Sequence, residues 1–206
     1  MVTSSRDPVR TRQRILRAAR REFVSKGFPG ARVDAIARGA SVNKRMLYHY
    51  FGNKGALYRA ILHEGIATNL DLVAAAPADP ADLLPFLFGR ALKRVEGIRL
   101  LQWEALGTGD RKLIAEDERR KAWVEGSERI RDAQRAGHVH QDLDAEHFVL
   151  ALMALTMFPL AFPQLVRMVT GARASDAEFQ RRQTRFLRRL GTHLRPRPSG
   201  TEEKHR

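Results

Sequence analysis

The stretch "VDAIARGASVNKRMLYHYFGNKGAL", Val33 to Leu57, sets two short apolar-periodic segments either side of a tight turn, and its reading decides the fold. Val33, Ile36, Ala37 and Ala40 recur at helical spacing and make one inner face. Leu47 and Phe51, one helical turn apart, make a second, and Asn43 stands where an N-cap would accept from the backbone. Only "GASV" lies between. The spacing therefore predicts helices over about 33–38 and 43–51 crossed at a turn, the helix-turn-helix arrangement. In that geometry Asn43, Lys44, Arg45, Met46, Tyr48 and His49 point outward. They are donors and an aromatic edge, suited to the base edges of a DNA major groove.

Upstream, Ile15, Leu16, Ala19 and Phe23 share a helical face, while Arg10, Arg14, Arg17 and Arg21 form a basic stripe. Asp7 can cap this helix, Pro8 suits its first turn, and Gly27 ends it, which predicts a helix over 8–26. Residues 1–55 hold thirteen Lys or Arg against three acids, a net of +10 out of +14 for the chain. The remaining 151 residues carry 24 bases and 20 acids, an ordinary balance. A basic head on a near-neutral body is the charge distribution of a phosphate-binding module. An Arg-rich composition throughout would give the same total without the asymmetry.

With 206 residues the chain has length for a small domain joined to a larger one. It has no cysteine, so thiolate metal sites and disulfides are excluded. The N-terminus lacks the apolar run of a signal peptide, and no later run is long enough to span a bilayer, so the expected location is cytoplasmic, with no membrane partner.

The segment "VDAIARGASVNKRMLYHYFGNKGALYRAIL" resembles the DNA-binding region of the TetR family of transcriptional regulators. The resemblance rests on Ile36-Ala37, Ala40, Val42, the run Leu47-Tyr48-His49-Tyr50-Phe51, Lys54 and Leu57, and covers roughly residues 10 to 60. It implies a homodimer reading the half-sites of a palindromic operator. It maps a phosphate-contacting tyrosine onto Tyr48 and a lysine at the next helix N-terminus onto Lys54, where the helix end adds to the attraction for phosphate. Two positions depart from the pattern. Ala31-Arg32 stands where the family has a hydroxyl residue ahead of the second helix; Arg32 is a substitute phosphate contact and Asp34 offsets the lost cap through the helix dipole. Ser41 stands where the turn has glycine, and a positive φ there would strain serine by roughly 1 kcal/mol.

Beyond this head the chain reads as all α. The expected division is a helix-turn-helix domain at 1–52, with 1–7 disordered, and a larger helical effector-binding and dimerisation domain at 53–206, with 195–206 disordered. Helices are expected over about 53–75, 82–95, 98–106, 112–136, 148–163 and 176–194. The span "FVLALMALTMFPLAFP" has no charge and predicts a fully buried helix with an interrupted end at Pro159 and Pro163.

By the same resemblance the middle helices enclose a pocket for a small, mostly apolar effector. Its candidate lining is Phe86, Phe88, Leu101, Trp103, Leu106, Trp123, Met153, Met157 and Phe158, for each of which ordinary core packing competes. The resemblance also implies a dimer interface on the last two main helices, with Leu152, Leu155, Phe179, Phe186, Leu187 and Leu190 as candidates; packing within one subunit is the alternative.

An enzyme is disfavoured: no glycine-rich phosphate loop, nucleophile elbow or triad pattern is present, and no cofactor is implied. His138, His140, Asp142 and Asp144 in "GHVHQDLD" read as a solvated loop, with no metal. The expected activity is thus repression by a DNA-bound homodimer that an effector releases; the rival is a DNA-binding dimer acting constitutively or architecturally, without a ligand.

Overall fold

The computed structural model describes residues 7–107 and 113–196, with side chains except over 66–74. Every regular element among them is an α-helix: α1 Pro8–Gly30, α2 Val33–Gly39, α3 Lys44–Phe51, α4 Lys54–Ala74, α5 Pro80–Leu92, α6 Val95–Gly107, α7 Glu116–Arg135, α8 Ala145–Ala161, α9 Pro163–Thr170 and α10 Ala177–His193. The protein is an all-α chain with a helix-turn-helix head. By packing it forms two compact units, residues 1–71 with 96–122, and residues 72–95 with 123–206. The expected line at 52/53 falls at the turn from α3 to α4, inside the first unit.

Local chemistry sets the ends of the head helices. Asp7 is the N-cap of α1, its carboxylate accepting from the N–H of Val9 and Arg10, so it is ordered where a disordered lead was expected. Helical geometry breaks at Gly27, with φ 67° and ψ 174°, as its position predicts, before the short turn to Gly30. Asn43 caps α3, accepting from Met46 N–H at 2.7 Å, and Asn53 accepts from Ala56 N–H at 2.8 Å beside the start of α4.

The apolar faces of α1 to α4 meet in one core. Ile15, Ala19, Phe23, Ile36, Leu47, Leu57 and Ile61 are buried there, joined by Leu100 of α6. Phe23 meets Tyr58 edge-on at 4.9 Å and stacks with Phe28 at 6.0 Å. Each such buried side chain contributes roughly 1.5–3 kcal/mol by its removal from water. Burial pushes the Tyr58 hydroxyl well above its ordinary pKa, and the Glu104 carboxylate adds to that.

In the second unit α5 lies along α10 and against α8. Leu83, Leu84, Phe88, Ile130, Phe148, Leu152, Phe179 and Leu187 form its core. The interruption expected at Pro163 is present: α8 breaks at Phe162 and α9 starts on Pro163. The span expected over 148–163 is not one helix, however: the periodicity did not separate α9 from α8. Nor is α8 fully buried: Leu150, Ala151, Ala154 and Phe158 share an exposed face opposite Phe148, Leu152 and Thr156. Arg195, placed in a disordered tail, forms an ion pair with Asp79 at 2.6 Å and is part of the fold. The helix expected from 112 begins at Glu116; residues 108–112 and the expected tails over 1–6 and 197–206 lie outside the described residues. Among the described residues no single helix is long and apolar enough to cross a membrane.

Candidate nucleic-acid interface

The outer face of α3 follows from its inner one. Leu47 and Phe51 lock one side into the core, which leaves Lys44, Arg45, Tyr48 and His49 exposed on the other. Tyr48 is 38% exposed, a ring half supported and half offered. His49 stands edge-on to Tyr50 at 5.7 Å. Met46 is half-buried, and the Asn43 side-chain oxygen is engaged as the cap of α3.

Around this face the cations differ in how they are held. Lys44 pairs with Asp34 of α2 at 3.1 Å, both ends well exposed, a contact worth at most about 1 kcal/mol. Lys54, the first residue of α4, donates to the Pro29 carbonyl at 3.3 Å and lies over the Phe28 ring at 4.9 Å. Partial burial lowers its pKa. Arg32 occupies the N-cap position of α2 without a side-chain cap bond, as the missing hydroxyl predicts. Its N–H donates to Glu22 at 3.2 Å, and the hydrogen bond from Lys26 keeps that carboxyl below its usual range.

The turn between α2 and α3 bears out the reading of position 41. Ser41 has φ 52°, the left-handed conformation that glycine adopts without cost. Sequence reasoning missed what lies against it. Arg14, read as one of a basic stripe, points its guanidinium into the turn and donates to the Ala40 and Ser41 carbonyls.

The pocket candidates fall in both units. Leu101, Trp103 and Leu106 belong to the first unit, and Phe86, Phe88, Trp123, Met153, Met157 and Phe158 to the second. Phe88 is fully buried and is core, a correction to its place in a pocket. Trp103 and Leu106 do line a groove, open and of about 530 Å3, with Arg21, Val24, Ser25, Glu96, Arg99 and Gln102. The Trp103 ring sits on Gly27, within 2.9 Å of where a Cβ would stand, and its Nε1–H donates to Val24 O at 3.1 Å.

The interface candidates also divide. Leu152, Phe179 and Leu187 are buried within their own chain and cannot meet a partner without unpacking, so they are core. Phe186 is 55% exposed, while Leu155 and Leu190 are half-buried. On α8 the outward apolar residues are Leu150 and Phe158, the first unforeseen and the second taken for pocket lining. A helix apolar on every side gives no phase from which to choose its outward face.

Two helices crossed at a capped turn, the second buried on one side and carrying cations and aromatics on the other, define a helix-turn-helix DNA-binding protein. The chain belongs to the tetR family of bacterial regulatory proteins: that family's N-terminal model matches residues 15–61, and a tetracyclin repressor-like C-terminal domain matches residues 79–189. It is 34% identical over 171 residues to the HTH-type transcriptional repressor SCO4008 of Streptomyces coelicolor, covering 82% of this chain and 88% of that one. It is 30% identical over 167 residues to the HTH-type transcriptional regulator UidR of Escherichia coli, covering 73% and 80%. Among solved structures, SCO4942 of Streptomyces coelicolor superposes with a TM-score of 0.74 at 28% identity, covering 91% of this chain and 99% of that one. The protein is a DNA-binding transcriptional regulator, and its relatives are regulators, not enzymes.

Proposed function

We propose that the protein is a cytoplasmic repressor that binds a palindromic operator as a homodimer and is released by a small, mostly apolar effector. The observation that carries the DNA-reading part is the exposed face of α3, where Lys44, Arg45, Tyr48 and His49 project from a helix fixed by Leu47 and Phe51. Arg45 and Lys44 read base edges, with Met46 and His49 beside them and Asn43 at the helix start. Tyr48, Lys54 and Arg32 hold phosphates. Lys54 is already steered by the Phe28 ring and the Pro29 carbonyl, so little side-chain freedom is lost on contact.

Selection of bound sequences from a random duplex pool tests this reading. Enrichment of a palindrome supports it; salt-sensitive binding without an enriched sequence replaces it with the architectural one. Arg45→Ala is expected to weaken binding to the selected duplex by about 1–3 kcal/mol and to leave random duplex nearly unaffected, as read by fluorescence anisotropy. Equal losses on both would remove Arg45 from base reading.

Dimerisation is assigned to the exposed apolar faces of α8 and α10, carried by Leu150, Phe158 and Phe186. Light scattering of Leu150→Glu with Phe186→Glu is expected to give a folded monomer that has lost tight palindrome binding. A dimer of unchanged mass would place the interface elsewhere. Effector release requires reciprocity: a ligand that weakens DNA binding must itself bind the DNA-bound protein more weakly by the same factor.

A further inference from the structure

Arg14 lies on α1, outside the helix-turn-helix pair, yet its guanidinium reaches the turn from which α3 departs. Nε donates to Ala40 O at 3.0 Å and Nη2 to Ser41 O at 2.8 Å, a fork across 26 residues of chain. That turn closes α2 in a defined way. Ser41 N–H returns to Arg38 O and Val42 N–H to Ala37 O, both at 3.0 Å, which is the Schellman pattern with residue 41 at its left-handed position. Serine occupies that position with φ 52° at a steric cost glycine would not have. The Ala40 and Ser41 carbonyls accept none of the pattern's own hydrogen bonds, and Arg14 binds both. Two residues further on, Asn43 caps α3. Whatever fixes Ser41 therefore fixes where the reading helix begins.

We propose that Arg14 is a positioning residue for α3: by clamping the Ala40 and Ser41 carbonyls it holds serine in the left-handed turn and sets the pose of Lys44 and Arg45, without itself touching DNA. This rests on the reading of α3 as the recognition helix. Lysine cannot replace it, because a point-charge ammonium does not reproduce the planar fork. Glycine at position 41 removes the strain that the clamp opposes.

The test uses the full chain with Arg14→Met, Arg14→Lys, Ser41→Gly and the Arg14→Met, Ser41→Gly double variant. Amide hydrogen exchange at Val42 is read first, without DNA. Faster exchange in Arg14→Met and Arg14→Lys, reversed in the double variant, is expected; unchanged exchange overturns the clamp. Binding is then compared on the duplex selected by the unaltered protein and on a random-sequence duplex. Arg14→Met and Arg14→Lys are each expected to lose about tenfold on the selected duplex, with the random duplex little changed, and the double variant to recover most of that loss. The salt dependence keeps its slope. A slope smaller by about one phosphate, with equal losses on both duplexes and no rescue by Ser41→Gly, would make Arg14 a phosphate ligand and overturn the proposal. If selection enriches nothing while Val42 exchange responds as expected, the reading of α3 fails and the clamp stands.

Discussion

Gly191→Ala is expected to lower the melting temperature of the protein by roughly 6–12 °C, a loss of about 3 kcal/mol, although alanine is the better helix former. On propensity alone the change would gain at most about 1 kcal/mol in the last turn of α10. Packing decides the sign. A Cβ at residue 191 would stand 2.4 Å from the Pro80 carbonyl oxygen and 2.5 Å from the Ala81 Cα and N. These are backbone atoms at the start of α5 and cannot rotate aside as a side-chain end would. The two helices would have to separate, and Leu84, Phe88 and Leu187, fully buried around that contact, would lose part of their packing. Calorimetry checks it; an unchanged or raised melting temperature would mean that α5 and α10 do not approach so closely in solution.

Phe23→Ala is expected to cost about 3–5 kcal/mol in the first unit, which is comparable with the whole stability of a small domain. Phe23 is fully buried in a cluster of three rings, edge-on to Tyr58 and stacked on Phe28, which also meet each other at 5.2 Å. Its removal leaves a cavity that neither ring can fill by a rotamer change alone, because Phe28 is also the platform for Lys54. Loss of DNA binding should therefore accompany the loss of the near-ultraviolet signal of the head. A variant that kept both signals would show that the head collapses around the cavity at little cost.

The head was more legible in the sequence than the body, and the reason lies in particular residues. Asp7, Gly27 and Asn43 each act on backbone within a few residues of themselves, so their roles as caps and breaker could be read locally. Ser41 was legible for the same reason: its conformation belongs to the turn. Arg14 was not, since an arginine on a helix surface gives the same pattern whether it faces solvent, a phosphate or a carbonyl far along the chain. Arg195 escaped in the same way, its partner Asp79 lying 116 residues distant. Phe186 and Leu187 are adjacent and both apolar, and only the approach of α5 to Gly191 fixes which of them turns inward. The charge asymmetry pointed to the right module but could not distinguish arginines that carry the field from those spent on holding the turn.

The two tryptophans fall one in each unit, Trp103 in the first and Trp123 in the second, and both are part-exposed. Trp103 is hydrogen-bonded through its indole N–H to Val24 and rests on the break in α1. The chain thus carries a native optical label in each unit: the emission of Trp103 reports whether the end of α1 is seated, that of Trp123 reports the state of α7, and the single-tryptophan variants Trp103→Phe and Trp123→Phe read the two apart without any added dye.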